Sequence, residues 1–201
     1  MSSTKKLYGI DLDGICFDFG SAFYKWIGDH TYLEMPPMEE ITSYYWHENI
    51  KGLSKEVFWD EFHKFGKSEG YFSLKLIPGA LEGLFAIRDA GHDIMYITNR
   101  PNYAIAQTKR ALETHGFPNA DKVEFANGIK APVIREYGVD VFIDDSPRTI
   151  AEICANTEAK IYCMDYPFNR SIHDVYNYTR VRSWNDFLRS ENITDDFMMR
   201  L

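Results

Sequence analysis

Cysteine is scarce in this chain, and the three that occur are far apart. Cys16, Cys154 and Cys163 form no C-x-x-C pair, so the sequence indicates neither a disulfide framework nor a zinc site. Long apolar runs are also missing, and none approaches the ~18 residues that a membrane span requires. The stretch before the first strand, residues 1–6, is charged but has no apolar signal core, so we expect no export and a cytoplasmic location.

Basic residues are outnumbered by acidic ones. The chain has 22 Lys and Arg against 30 Asp and Glu, which gives a formal net charge of −8. Such a surface repels a polyanion, which argues against a nucleic-acid polymer as the main ligand. A small phosphate held at a local positive site is compatible with this balance. The 201 residues, without internal repeats, suffice for one sizeable core and a small second lobe.

The first predicted strand ends in a pair of carboxylates. Leu7–Ile10 is a short apolar run typical of a buried strand, and Asp11 and Asp13 follow it before Gly14 turns the chain. Carboxylates at the carboxyl end of a strand lie where an open α/β sheet binds its ligands. Burying an isolated carboxylate there is costly, so we expect a metal ion or a shared proton as compensation.

The remaining pattern predicts an α/β fold with an inserted helical cap. Strands are predicted at 94–98, 123–125, 139–143 and 160–163, alternating with helices, and a last helix at 184–188. This alternation indicates a Rossmann-like parallel sheet flanked by helices. The aromatic, helical block between the first strand and the next α/β unit is interpreted as the cap. The predicted domains are therefore a core of residues 1–17 and 77–201 and a cap of residues 18–76.

Polar side chains follow two further predicted strands. Thr98 and Asn99 come after the strand at 94–98, and Asp144 and Asp145 come after the strand at 139–143. Either pair by itself is explained as a turn or a helix cap. A parallel sheet brings all three strand ends to one edge, however, and capping does not explain their coincidence with Asp11. The sequence therefore predicts a site at this edge.

The order of these motifs resembles the haloacid dehalogenase-like (HAD-like) phosphatase superfamily. The resemblance is carried by Asp11-Leu12-Asp13-Gly14, Thr98, Lys130 and Asp144-Asp145. Shorter segments are similar to the 5'(3')-deoxyribonucleotidase family: Asp18-Phe19, Leu76-Ile77-Pro78-Gly79-Ala80, Ile143-Asp144-Asp145, Asp165-Tyr166-Pro167-Phe168-Asn169 and Trp184. One departure is Asn99-Arg100-Pro101, which stands where that family usually has Ser-Pro.

The resemblance implies a role for the carboxylates and a cofactor. Asp11 is expected to be the nucleophile that forms an aspartyl-phosphate, and Asp13 the general acid and base. Mg²⁺ is expected on an all-oxygen site made by the Asp11 carboxylate, the backbone carbonyl of Asp13 and Asp144. Asp145 is expected to orient metal-bound waters or Lys130 from behind this first layer of ligands.

The resemblance also implies how a phosphate is held. Thr98 is expected to bind the phosphoryl oxygens, with Asn99 and Arg100 beside it. Lys130 is expected to balance the phosphate charge, while Lys109 and Arg100 are alternatives for that role.

The substrate is expected to be a small phosphate ester. Phe19, Tyr45, Trp46 and Phe72 in the cap can stack a nucleobase, which favours (deoxy)nucleoside monophosphates. Three alternatives stay open: a sugar phosphate, a polynucleotide end, and a non-catalytic role as a phospho-ligand binder. The sequence also leaves open whether two copies associate into a homodimer.

Overall fold

The structure, a computed structural model, describes residues 4–172 and 176–193. These residues contain six strands: β1 (Leu7–Ile10), β2 (Asp93–Thr98), β3 (Val123–Phe125), β4 (Val141–Asp144), β5 (Lys160–Met164) and β6 (Tyr178–Val181). The strands form one sheet in the order β3-β2-β1-β4-β5-β6, and every neighbouring pair is parallel. The predicted fold class is confirmed. Residues 1–3, 173–175 and 194–201 of the predicted core segments lie outside the described residues.

Helices cover both faces of the sheet. Seven are described: α1 (Phe19–Thr31), α2 (Lys55–Lys67), α3 (Ala80–Asp89), α4 (Ile105–Thr114), α5 (Ala131–Tyr137), α6 (Pro147–Asn156) and α7 (Trp184–Ser190). The strands are apolar at consecutive positions, so Tyr96 packs in the hydrophobic cluster that includes α3, α4 and α7, while Met95 and Ile97 pack against α5 and α6. Continuous apolar strands are the expected pattern for a sheet that is buried on both faces.

The topological switch point of this parallel sheet lies between β1 and β4. β2 and β3 lie on one side of β1, whereas β5 and β6 lie beyond β4 on the other side. Connections on opposite sides leave a crevice at the carboxyl ends of β1 and β4, where open α/β sheets bind ligands. Gly9 permits this close pairing, because a Cβ at its position would lie 2.5 Å from Cδ2 of Phe142.

Residues 18–76, the segment predicted as the cap and called the cap below, contain α1 and α2. Each helix starts with a side-chain cap: the Asp18 carboxylate accepts from the N–H of Ser21, and the Ser54 hydroxyl accepts from that of Val57. Where the chain leaves and re-enters the core, Phe17 and Leu76 form an antiparallel bridge. Both connections to the cap therefore run side by side.

Some element boundaries differ from the sequence prediction. A helix is predicted to start at Pro101, but the Pro101 backbone is extended and a 3₁₀ turn (Asn102–Ala104) precedes α4. The strand β6 is not predicted, because Tyr178–Val181 has only four residues and two of them are polar. None of the helices among residues 4–172 and 176–193 is long and apolar enough to cross a membrane.

Candidate active site

The carboxyl end of β1 carries the two aspartates of the D-x-D-G motif. Asp11 follows the strand directly and is 6% exposed. Gly14 then takes a φ of 79°, and the N–H groups of Cys16 and Phe17 both donate to the Leu12 carbonyl at 2.8 Å. A Cβ at Gly14 would lie 2.0 Å from Oδ2 of Asp145. A glycine is therefore required both by the backbone conformation and by the close approach of β4's end.

Lys130 contacts one aspartate at the end of β1 and another at the end of β4. Its Nζ lies 2.6 Å from Oδ1 of Asp11 and 2.7 Å from Oδ2 of Asp144, and its side chain is 2% exposed. Burial lowers the pKa of Lys130, but the charges of Asp11 and Asp144 outweigh this effect and raise it. Burial raises the pKa of Asp11 to about 7, helped by Asp144 and Asp13 and opposed by Lys130. Of the three cations predicted to balance the phosphate charge, Lys130 is the one that contacts Asp11, the predicted nucleophile, whereas Lys109 is exposed on α4.

Asp144 and Asp145 have different surroundings although they are adjacent. Asp144 uses both oxygens within the protein, since Oδ2 accepts from Lys130 and Oδ1 accepts from the Ser146 N–H at 2.8 Å. The Asp145 carboxylate accepts no hydrogen bond from residues 4–172 and 176–193. Burial, Asp144 and Asp11 raise its pKa well above the usual range. Asp145 is therefore the aspartate in greater need of a positive partner.

A divalent cation fits this group of residues. Asp11, Asp144 and Asp145 each offer a carboxylate oxygen, and these atoms lie within 4.8 Å of one another. With Asp13, four carboxylates stand against two cations, Lys130 and Arg100, so two negative charges remain uncompensated if all are ionised. All the available donor atoms are oxygens, which suit a hard cation such as Mg²⁺. The sequence assigns Asp144 to the metal and Asp145 behind it, whereas the free carboxylate of Asp145 favours the reverse assignment.

Thr98 and Asn99 lie at the end of β2, beside Asp11 on the adjacent strand. Thr98 is buried, and its hydroxyl accepts from the Arg100 N–H at 3.2 Å. The Asn99 Oδ1 accepts from the Gly128 N–H at 2.8 Å and so ties this strand end to the loop that carries Lys130. Thr98, Asn99 and Lys130 all line the same cavity as Asp11.

Arg100, predicted to lie beside Thr98 and to contact the substrate, lines the cavity with a buried side chain that is 0% exposed. Its Nε and Nη2 donate to the two carboxylate oxygens of Asp13 at 2.9 and 2.6 Å, and its Nη1 donates to Thr108. The sequence alone carries no local signal for this pair, because Arg100 and Asp13 are 87 positions apart.

A cavity of about 720 Å³ lies between the strand ends and the cap. Its walls on the cap side are aromatic, and they include Phe19, Phe23, Tyr44, Tyr45, Trp46, Phe58, Trp59, Phe62 and Tyr71. Tyr166 and Phe168 line it from the core, with their rings stacked at 5.3 Å. Three of the four rings that the sequence predicts to stack a nucleobase, Phe19, Tyr45 and Trp46, are among the lining residues.

Phe72, also predicted to bind substrate, does not line this cavity. Its ring packs under the Arg110 guanidinium at 3.8 Å. The sequence also did not single out Tyr44, Phe62, Tyr71 or the exposed Arg148 as cavity residues. Aromatic residues were abundant throughout the cap, so composition alone could not distinguish rings in the cavity wall from rings behind it. Tyr166 and Phe168 belong to the segment 165–169, whose similarity to the family was the one sequence feature that could have indicated a place in the cavity wall.

Comparisons with known proteins agree with this geometry. A protein with the name "Putative 5'(3')-deoxyribonucleotidase" from Chlorobaculum tepidum is 29% identical over 194 residues, which cover 92% of this chain and 90% of that protein. A "Putative nucleotidase" of Oceanobacillus iheyensis is 32% identical over 127 residues, 61% of this chain and 65% of that protein's length, so this match spans less than two thirds of the relative.

Solved structures share the fold at low sequence identity. A HAD family hydrolase from Deinococcus radiodurans with bound phosphate and sodium superposes with a TM-score of 0.66 at 15% identity, covering 95% of this chain and 98% of that one. A HAD-like hydrolase from Streptococcus pneumoniae gives a TM-score of 0.64 at 12% identity, with 93% and 98% covered.

A family model for the "5' nucleotidase, deoxy (Pyrimidine), cytosolic type C protein" matches residues 5–192, nearly the whole chain. The match includes every strand of the sheet, the cap and all the strand-end aspartates. The chain therefore belongs to this family of 5'-nucleotidases, which are phosphoric monoester hydrolases with the HAD-like fold.

Proposed function

We propose that this protein is a Mg²⁺-dependent phosphatase that removes the phosphate from (deoxy)nucleoside monophosphates through an aspartyl-phosphate on Asp11. The observation that carries the proposal is the position of Asp11. It lies in the wall of an aromatic cavity, 2.6 Å from the Lys130 ammonium and beside the strand-end Thr98. A nucleophile, a fixed cation and a hydroxyl thus converge where a phosphoryl group can be held.

In the first step an Asp11 carboxylate oxygen attacks phosphorus and the bond from phosphorus to the leaving oxygen breaks. Asp13 gives that leaving oxygen a proton, and the nucleoside departs with a hydroxyl. Asp13, now ionised, takes a proton from a water that attacks the same phosphorus. The bond to Asp11 breaks, and inorganic phosphate and the free carboxylate result. Lys130 and the Thr98 hydroxyl hold the phosphoryl oxygens during both steps.

The metal is assigned to Asp11, Asp145 and the backbone carbonyl of Asp13. This set revises the expectation from sequence, since both oxygens of Asp144 are engaged by Lys130 and the Ser146 N–H. When bound, Mg²⁺ neutralises the charge of the carboxylates and of the phosphoryl group, so that an anionic nucleophile can approach an anionic substrate. Asp144 then acts on Lys130, holding its ammonium against Asp11.

The aromatic wall of the cavity supports the proposed substrate class. A nucleobase presents a π-face to any of these rings, and one stacked ring contributes ~1–3 kcal/mol to binding. The names of the relatives are consistent with such a substrate. The three cysteines of the chain are free thiols, which suits the reducing cytoplasm as the place of the reaction.

The test is an assay of the purified protein against a panel of phosphates. The panel contains 5'- and 3'-(deoxy)nucleoside monophosphates, a sugar phosphate, a 5'-phosphorylated oligonucleotide and p-nitrophenyl phosphate. Each is measured with Mg²⁺, with EDTA, and with EDTA followed by excess Mg²⁺, and the Asp11→Asn variant is the control. We expect Mg²⁺-dependent release of phosphate, fastest from a mononucleotide, and none from folded Asp11→Asn protein. Turnover in that variant, or faster turnover of the sugar phosphate, would contradict the proposal.

A further inference from the structure

The carboxylate of Asp13 is held by Arg100, a residue that is not part of the HAD-like motifs described above. We infer that Arg100 is a positioning residue, which fixes the Asp13 carboxylate in the orientation needed to protonate the leaving oxygen. The inference rests on the proposed function, in which Asp13 transfers that proton. Arg100 lies in the segment Asn99-Arg100-Pro101, which stands where the resembling family usually has Ser-Pro.

The contact between these two residues is bidentate. Nε of Arg100 donates to Oδ2 of Asp13 at 2.9 Å, and Nη2 donates to Oδ1 at 2.6 Å. A planar guanidinium that meets a carboxylate in this way fixes both the position and the plane of the carboxylate. The same could not be expected of a lysine, whose ammonium is a point charge on a flexible chain.

Arg100 is the rigid partner of the pair. Its guanidinium lies over the rings of Phe17, at 5.1 Å, and Tyr71, at 4.7 Å. Its Nη1 donates to the Thr108 hydroxyl at 3.2 Å, and that hydroxyl in turn donates to the Ala104 carbonyl in the turn before α4. The Asp13 side chain, in contrast, is 25% exposed, with the cavity on its open side. Asp13 is therefore aligned against a fixed support.

This arrangement argues against direct binding of the phosphate by Arg100. All three guanidinium nitrogens already donate to protein oxygens, and the charge is paired with Asp13. To reach a phosphate, the side chain would have to leave two aromatic rings and the Thr108 hydroxyl, and it would leave Asp13 without its partner. Lys130, which contacts Asp11, is the cation placed for the phosphoryl group.

The role has a kinetic signature that depends on the leaving group. A nucleoside alkoxide is a poor leaving group and needs protonation by Asp13, whereas p-nitrophenolate departs without it. General acid catalysis contributes on the order of 10²–10⁴-fold. Misorienting Asp13 should therefore slow the release of a nucleoside far more than the release of nitrophenol. A purely structural role of Arg100 would slow both releases by the same factor.

The experiment measures the first-turnover release of nucleoside and of nitrophenol in Mg²⁺-loaded protein. The variants are Arg100→Lys and Arg100→Gln, each with a melting curve. Thr108→Val, which loosens the support of Arg100 at a residue outside the cavity lining, is a milder variant for the case that the Arg100 variants fold poorly. Arg110→Lys is the matched control, because Arg110 also stacks on a ring, that of Phe72, but lies outside the cavity lining.

We expect Arg100→Lys to slow nucleoside release on the order of 10²-fold and nitrophenol release less than about tenfold. Thr108→Val should show a smaller split of the same sign, and Arg110→Lys none. In an Asp13→Asn background, the change Arg100→Lys should have little further effect on nucleoside release, because the group that it positions is already lost.

Two results would overturn the inference while leaving the proposed function intact: equal losses for both leaving groups, or an undiminished loss in the Asp13→Asn background. Wild-type protein with Mg²⁺ that hydrolyses neither substrate would overturn the proposed function, and the inference with it. The wild-type measurement thus separates the two failures.

Discussion

The indole N–H of Trp184 donates a hydrogen bond of 2.8 Å to the carbonyl oxygen of Ile15. Trp184 is the first residue of α7, and Ile15 lies in the turn directly after Asp13 and Gly14. The same ring fills the space beside Gly83, where a Cβ would lie 2.3 Å from Cε3 of Trp184. The last described helix thus supports the loop that carries the candidate catalytic pair.

Trp184→Phe should reduce both stability and activity. The smaller ring leaves the buried Ile15 carbonyl without its donor, which costs about 1–3 kcal/mol, and it also leaves a cavity. Chemical denaturation and phosphatase assays measure the two effects. Tyr137→Phe is the control, since it removes an exposed hydrogen bond of 2.7 Å to Glu124 and should change neither quantity. A fully stable Trp184→Phe protein with wild-type turnover would contradict this account of the loop.

Substitution of Asp144 and substitution of Asp145 by asparagine should have opposite effects on the stability of the metal-free protein. Asp145→Asn removes a carboxylate whose pKa is raised by burial and by its neighbours, so we expect the free energy of unfolding in EDTA to rise by about 0.5–2 kcal/mol. Asp144→Asn removes the partner of Lys130 and should destabilise the protein.

Adding Mg²⁺ completes this test. Wild-type protein should gain about 3 kcal/mol at a Mg²⁺ concentration of 100 times Kd, and Asp145→Asn should lose most of this gain. Thermal shifts in EDTA and in Mg²⁺ measure both effects. If Asp144→Asn abolishes the response to Mg²⁺ and Asp145→Asn retains it, the original assignment of Asp144 as the ligand is correct.

Glu191 should make stability depend on pH in the acid range. Its buried carboxylate accepts from Lys6, Lys160, Tyr8 and Tyr162 at 2.7–2.8 Å. Burial raises the pKa of Glu191, but these four hydrogen bonds outweigh it and lower the pKa to about 2.

Because the folded-state pKa lies below the unfolded value of 4.5, the stabilisation is complete above about pH 4.5 and is lost as the pH falls towards 2. We expect a loss on the order of 2 kcal/mol from this group. Denaturation curves of wild type and Glu191→Gln, recorded from pH 7 to pH 3, measure this loss of stability as the difference between the two proteins. The contributions of the other carboxylates cancel in that difference. Parallel curves for the two proteins would show that Glu191 is not the source.

Phe19 and Phe72 form a matched pair for substrate selectivity. Phe19 lines the cavity and lies 5.3 to 5.9 Å from four other cap rings, whereas Phe72 packs under Arg110 outside the cavity lining. If a base stacks on Phe19, Phe19→Ala should lower kcat/KM for a mononucleotide by roughly five- to a hundred-fold. The value for p-nitrophenyl phosphate should change much less.

Phe72→Ala should leave the ratio of the two kcat/KM values unchanged. Because the Phe19 ring also packs within the cap, a melting curve accompanies the kinetics. Equal losses on both substrates together with a lower Tm would mean that Phe19 is a packing residue, and the selectivity would then have to come from other rings of the cavity.

The sequence was sufficient to predict five of the six strands and the residues that follow them at the carboxyl edge of the sheet. Apolar runs identify buried strands, and parallel strands necessarily bring Asp11, Thr98 and Asp144 to the same edge. Which of two adjacent aspartates contacts Lys130 depends on the direction of the backbone after β4, and local sequence does not encode it. The pairing of Arg100 with Asp13 likewise depends on how the cap covers the sheet, since Tyr71 forms one side of the guanidinium's packing.

The bridge between Phe17 and Leu76 brings the two connections between the core and the predicted cap side by side. Because the chain departs and returns at adjacent positions, a different insert could be exchanged for the present one without rerouting any strand of the sheet. Such an exchange would keep Asp11, Lys130 and Asp145, which belong to the core. It would also remove Tyr71 and so uncover one face of Arg100. The predicted cap and core are thus separable in topology, but both contribute to the proposed alignment of the Asp13 carboxylate, and a grafted insert would have to supply an aromatic ring at the place of Tyr71.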